Sequence, residues 1–194
     1  MNGVLVVDKP PGPTSHDVVD RVRRALGQRR AGHTGTLDPF ASGVLPVCLG
    51  KATRLVRFLS EGEKHYRAQV RLGFATTTDD RLGQPLGAPR QVQVAEADLR
   101  RALQGLTGEL RQVPPAYSAR RVAGRRLYAL ARAGVEVERE AAPCTVHALE
   151  LVSFAGERLE LEVRCSPGTY VRALARDLGE ALGVGGHLEE LRRT

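Results

Sequence analysis

No stretch of these 194 residues is both long and free of charge. The apolar run Val4–Val7 is far too short for a signal peptide or a membrane span, which needs about 20 apolar residues. The expectation is a cytoplasmic protein without membrane association. Cysteine is scarce. Cys48, Cys144 and Cys165 are odd in number, widely spaced and set among apolar residues, which reads as buried thiols rather than disulfides or zinc ligands. No two histidines stand at metal-ligand spacing with a carboxylate or cysteine, so no metal is expected. Nucleotide motifs are missing as well: Gly50-Lys51 is followed by Ala52, no glycine precedes it by five positions, and no strand leads into a clean G-x-G-x-x-G. No serine occupies a G-x-S-x-G elbow. The sequence therefore calls for no cofactor.

Lysine is nearly absent too, with only Lys9, Lys51 and Lys64, so the net charge of +7 rests on arginine. Arginine forks onto phosphates and stacks on bases, which favours nucleic acid as a partner; a genome that prefers arginine codons explains the same bias equally well. With 42% hydrophobic and 26% charged residues the composition is that of a globular protein, and the length suits one domain with an adequate core.

The chain alternates strand and helix signals. Val4–Val7 reads as a central strand, and Lys9-Pro10-Pro11-Gly12-Pro13 breaks it. Thr14–Asp17 has the form of a capping box, Val18, Val19, Val22, Ala25 and Leu26 follow at helical spacing, and Gly27 is placed to end the helix. A glycine-rich loop over Gly32–Gly43, a strand over Val44–Leu49 and a helix around Leu55–Leu59 come next. Two segments alternate cleanly: Tyr66, Ala68, Val70 and Leu72 share a face, as do Leu159, Leu161, Val163 and Cys165. Half-buried alternation indicates antiparallel pairing. Between Thr76 and Arg90 the spacing predicts a polar loop. Further helices are expected through Leu99, Ala102 and Leu103, over Leu127–Arg132, and over Thr169–Leu182. The fold class is α+β, with a mixed, largely antiparallel central sheet flanked by helices.

The segment richest in chemistry is Gly32-His33-Thr34-Gly35-Thr36-Leu37-Asp38-Pro39-Phe40-Ala41-Ser42-Gly43. Its three glycines permit positive φ and close approach to a ligand. Pro39 steers Asp38 away from helical geometry, leaving a carboxylate at a turn that suits a nucleophile or general base. An Asp followed by Pro is equally the signature of a helix N-cap with Pro at the first helical position, and local pattern alone favours that reading.

Gly32–Gly43 resembles the catalytic motif of the TruB family of pseudouridine synthases, approximately GHTGTLDPxATG, with Ser42 in place of threonine. The resemblance runs along nearly the whole chain. It includes Val4–Gly12, Thr14–Asp17, Gly50-Lys51-Ala52-Thr53-Arg54 and Lys64-His65-Tyr66. Thr76, Thr78, Asp80 and Gly83 fit a TDTxDxxG pattern in which Thr77 replaces aspartate. Pro114–Ala119, Gly168-Thr169-Tyr170-Val171-Arg172, Gly186-His187-Leu188 and Leu191-Arg192-Arg193-Thr194 complete it.

The resemblance implies the pseudouridine synthase fold over residues 1–194, with 76–134 as a peripheral RNA-contacting portion and no PUA-like domain in this chain. It implies that Asp38 is the catalytic carboxylate, that Tyr66 stacks on a flipped uracil, and that Tyr170 packs in the same pocket. Arg172 would pair with Asp38, Leu191 would line the uracil site, and His33 would displace the RNA loop. Taken by themselves, Tyr66 and Leu191 fit core positions, and Arg172 could equally pair with Asp177 or Glu162. Arg120, Arg121, Arg125 and Arg126, interleaved with Tyr128, are candidates for gripping the RNA backbone, although any one of them also fits a solvated charged face. Arg121 stands where the family usually has lysine. The implied substrate is the T-loop uridine at position 55 of tRNA, flipped out of its stack, and the implied protein is a monomer needing no cofactor and no protein partner. Two alternatives are a tRNA-binding or folding module with an idle pocket, and a guide-RNA-dependent synthase of a ribonucleoprotein.

Overall fold

A computed structural model describes the chain except residues 119, 120, 123, 128, 129, 131, 132, 134 and 136, and only the backbone of 121, 122, 125 and 126. The architecture is α+β, a mixed and largely antiparallel sheet flanked by helices. The chain divides into two compact units, Met1–Arg67 with Glu190–Thr194, and Ala68–Glu189.

In the first unit, helix α1 (Ser15–Ala25) opens as its sequence predicts. Thr14 Oγ1 accepts the Asp17 amide at 3.1 Å, and the Asp17 carboxylate accepts the Thr14 amide at 2.8 Å, closing a capping box. Gly27 ends the helix at φ 58°, with the Gln28 amide reaching back to the Arg23 carbonyl at 2.9 Å. Val18, Val19 and Val22 then pack with Ala31, Leu45, Val47 and Leu49. Thr14→Ala is expected to lower the melting temperature by roughly 2–4 °C, read by circular dichroism. The hydrogen bond from the Thr14 side chain holds the Asp17 carboxyl below its ordinary value of 3.8. A carboxylate depressed in the fold stabilises it above the unfolded pKa, and that support is lost as pH falls through the lower native value. The deficit of Thr14→Ala should therefore shrink in acid.

Strand β1 (Gly3–Lys9) runs antiparallel to β3 (Ser42–Leu49), β2 (Ala31–His33) pairs with β3 at Val47–Leu49, and β12 (Gly186–Arg193) runs parallel to β3 through Arg192↔Ser42 and Arg193↔Gly43. The expected central position of the first strand is not observed. β1 is an edge strand, and Val4 and Val6 are 47% and 65% exposed. Only its Val7 packs against the α1 core, so the continuous apolar run does not report burial on both faces. A 3₁₀ turn (Gly50–Leu55) leads into the short α2 (Val56–Ser60) and then β4 (Lys64–Leu72).

In the second unit, β7 (Gly108–Gln112), β10 (Ala142–Ala155) and β11 (Arg158–Cys165) pair antiparallel in the order β7-β10-β11. Leu159, Leu161, Val163 and Cys165 are buried, as their alternation predicts. The expected loop over Thr76–Arg90 contains a small hairpin of β5 (Ala75–Thr76) and β6 (Pro85–Leu86). A second hairpin joins β8 (Arg121–Val122) to β9 (Arg125–Arg126). Helix α3 (Glu96–Gly105) buries Leu99 and Leu103, and α4 (Val171–Ala181) buries Leu174 and Leu178. The helix expected over Leu127–Arg132 falls largely outside the described residues.

Candidate active site

Asp38 sits at the head of a tight turn, not at the start of a helix. The Ala41 amide donates to the Asp38 carbonyl at 3.1 Å and places Pro39 at the second turn position, where its fixed φ fits. The capping expectation thus fails, because Ser42 re-enters a strand and leaves no room for helix. Two buried side chains fix this turn from opposite ends. Ser15 Oγ meets both backbone groups of Leu37, accepting its amide at 2.8 Å and lying 3.1 Å from its carbonyl. Lys9 is fully buried, and its Nζ donates to the carbonyls of Ala41 at 2.7 Å, Pro10 at 3.0 Å and Pro39 at 3.2 Å. Burial pushes the Lys9 ammonium below its ordinary pKa, and attraction to Asp38 opposes that shift. Leu37, Phe40 and Ala41 are buried around the half-buried Asp38. Of the three glycines in this segment only Gly43 has positive φ (103°), and a Cβ there would collide with the Arg193 backbone of β12.

His33 lies on β2 rather than in a loop. Its Nδ1 is buried without a hydrogen-bond partner, and burial, aided by the charges of His16 and Arg193, pushes its pKa down. Tyr66 is half-buried on β4, on the face that continues into the buried Ala68, Val70 and Leu72. Leu191 is buried on β12, where Ser42 Oγ reaches its carbonyl at 3.5 Å.

Tyr170 and Arg172 belong to the second unit. Tyr170 precedes α4 in extended conformation, and the Gln112 side-chain amide clasps its backbone: the Tyr170 amide donates to Oε1 at 2.8 Å and Nε2 donates to its carbonyl at 3.1 Å. Arg172 is 4% exposed. Its Nη1 donates to the Thr78 carbonyl at 3.0 Å and lies 3.4 Å from Asp80 Oδ2, while Nη2 donates to the Tyr117 carbonyl at 2.9 Å. Asp80 is itself oriented, since its other oxygen accepts from Thr78 Oγ1 at 2.7 Å and the Leu82 amide at 3.0 Å. Asp177 pairs with Arg176 at 2.8 Å. Asp38 and Arg172 lie in different units, and their pairing belongs to the proposal below. Arg120 falls outside the described residues, and Arg121, Arg125 and Arg126 are placed by backbone only, on the β8–β9 hairpin.

Several anchors escape sequence reasoning as functional residues. Lys9, Ser15 and Asp80 stand within motifs but show no local sign of their contacts, and Gln112 carries no signal at all. Among the described residues no group of three or more His, Cys, Asp or Glu converges as a metal site would require.

A sequence model for the TruB family pseudouridylate synthase N-terminal domain matches residues 23–171. Over its whole length the chain is 53% identical to tRNA pseudouridine synthase B of Aromatoleum aromaticum, covering 63% of that protein. It is 47% identical to the protein of the same name in Alkaliphilus oremlandii, covering 64%. The chain thus spans less than two thirds of these relatives. Among solved structures it is similar to a chain of a Cbf5-Nop10-Gar1 complex, with a TM-score of 0.77 and 36% identity over 99% of this chain and 48% of that one. It is likewise similar to a chain of an H/ACA RNP bound to a substrate RNA containing 2'-deoxyuridine, with a TM-score of 0.73 and 34% identity over 99% of this chain and 46% of that one.

Proposed function

Since the chain belongs to the TruB family of pseudouridine synthases, we propose that it isomerises the T-loop uridine at position 55 of tRNA to pseudouridine. The observation that carries the proposal is the Asp38 turn, held rigid by Ser15 and Lys9 through its neighbours' backbone, with Asp38 itself half-buried. The reaction breaks the bond between N1 of uracil and C1′ of ribose, rotates the retained base and joins C5 to C1′. The C5 proton is released and N1 takes up another, so nothing is oxidised and no group donor is consumed. Asp38 acts at the sugar, either by bonding to C1′ or by removing a sugar proton to give a glycal. A stacked uridine must be everted first, at a cost of a few kcal/mol. In this reading Tyr66 stacks on the everted base, Tyr170 and Leu191 wall the pocket, and Arg172 pairs with Asp38 so that the carboxylate stays ionised at neutral pH. His33 wedges into the vacated loop. Arg120, Arg121, Arg125 and Arg126 hold phosphates, where arginine serves in place of lysine because charge and donors suffice. No protein partner, metal or cofactor takes part.

The test follows tritium released from C5 when purified protein meets an unmodified tRNA transcript labelled with [5-³H]uridine. One release per tRNA, without added guide RNA or protein, is expected. Binding without release would overturn the proposal in favour of an RNA-binding module. Release only on addition of a guide RNA would favour the guided reading that the likeness to the Cbf5 complex supports.

A further inference from the structure

We infer that Arg176 and Asp79 form a clasp that positions Arg172, so that Arg176 acts on the proposed reaction without touching substrate. Arg172 and Arg176 are four residues apart on α4, a spacing that sets both guanidinium groups on one face of the helix. Arg172 reaches two segments, the Thr78–Asp80 turn and the loop at Tyr117. Arg176 reaches the same two segments one step away. Its Nη1 donates to Asp79 Oδ2 at 2.9 Å and its Nη2 to the Val113 carbonyl at 2.9 Å, while Nε donates to Asp177 Oδ1 at 2.9 Å. Val113 leads directly into Pro114-Pro115-Ala116-Tyr117, and Asp79 stands between the two turn residues that Arg172 engages.

The turn needs holding. Asp79 is the one non-glycine residue among those described with positive φ, at 60°, a conformation that costs a residue with a Cβ about 1 kcal/mol or more. Its backbone is tied to β12, with the Leu188 amide donating to the Asp79 carbonyl and the Arg81 amide to the Leu188 carbonyl, both at 3.0 Å. Its side chain is tied by Arg176. Burial raises the Asp79 carboxyl above its ordinary pKa despite Arg176, Arg172 and Arg139 nearby, and burial likewise raises Asp177. A buried carboxylate and a half-buried one on a single arginine are a costly way to stabilise a helix face, whereas they suit an arrangement that fixes geometry.

The inference rests on the proposed function, and the experiment separates the two. Single-turnover tritium release, tRNA affinity and melting temperature are measured for the wild type, Asp79→Asn, Arg176→Gln, Arg176→Lys and the Asp79→Asn/Arg176→Gln double variant. Asp79→Asn retains a residue that tolerates positive φ. At a temperature where every variant is fully folded, a clasp predicts that Asp79→Asn and Arg176→Gln each slow release by about 10- to 100-fold with tRNA affinity close to wild type, although removing one partner of the buried pair lowers the melting temperature. The double variant should be no slower than the slower single one, because either change opens the same clasp. Arg176→Lys should recover part of the rate, since an ammonium still reaches one acceptor but cannot span three. Unchanged rates in the single variants, fully additive losses, or rate losses matched by equal losses of tRNA affinity would each overturn the clasp. A wild-type protein that releases no tritium overturns the underlying function instead.

Discussion

Asp38→Asn is expected to suppress tritium release by at least about 10³-fold while leaving tRNA affinity within a few-fold of wild type. Asparagine matches aspartate in shape and retains the backbone carbonyl that closes the turn with the Ala41 amide. The anchors at either side, Ser15 and Lys9, grip backbone atoms of Leu37, Pro39 and Ala41 that the exchange leaves in place, although Lys9 loses the attraction of the Asp38 charge. What disappears is the negative charge that in the proposed reaction bonds to the sugar or takes its proton, and an amide does neither at neutral pH. The measurement is a single-turnover release assay beside a filter-binding isotherm on the same transcript. Release within tenfold of wild type would remove Asp38 from the reaction. A parallel loss of binding would make it a structural residue.

Lys9→Met should destabilise the protein by about 3 kcal/mol and slow release by about tenfold or more. Methionine fills much of the same volume but donates nothing, so the Ala41 and Pro10 carbonyls lose the ammonium that serves them. Pro39 is less affected, because the Gly12 amide also donates to its carbonyl at 2.8 Å. The cost is high because Lys9 is fully enclosed, so water cannot replace the ammonium freely. The rate falls because the turn carrying Asp38 loses one of its two fixed ends. A urea denaturation midpoint read by fluorescence, with the release assay, checks both parts. A stability within about 0.5 kcal/mol of wild type would show that the carbonyls find other donors, a change typical of surface positions.

The helix start at Thr14, its stop at Gly27 and the two alternating strands were legible because each depends on neighbours within a turn or a pleat of the chain. β10 was not legible, although it is the longest strand. Its register slips between Val146 and Ala148 and again between Leu151 and Ser153, and each slip moves the following side chains relative to the two faces. No period of two survives to be read. The edge position of β1 was equally hidden, since an apolar run looks the same whether one side of the strand is paired or both. At Asp38 local pattern pointed to a cap. The turn that forms instead is imposed by Lys9, Gly12 and Ser15, which lie more than twenty residues upstream. The family resemblance marked Asp38, Tyr66, Tyr170 and Arg172, whereas the residues that hold them, Gln112 and Arg176 above all, follow from contacts that no spacing rule anticipates.

The parallel pairing of Arg192 and Arg193 with Ser42 and Gly43 closes the first unit with the last few residues of the sequence. During synthesis residues 1–67 must therefore wait, with the Ser42–Gly43 end of β3 still unpaired on one side, until more than a hundred further residues have left the ribosome. Contacts of such long sequence separation are formed late and slowly. Until then the nascent chain carries Asp38 on a sheet that is not yet finished.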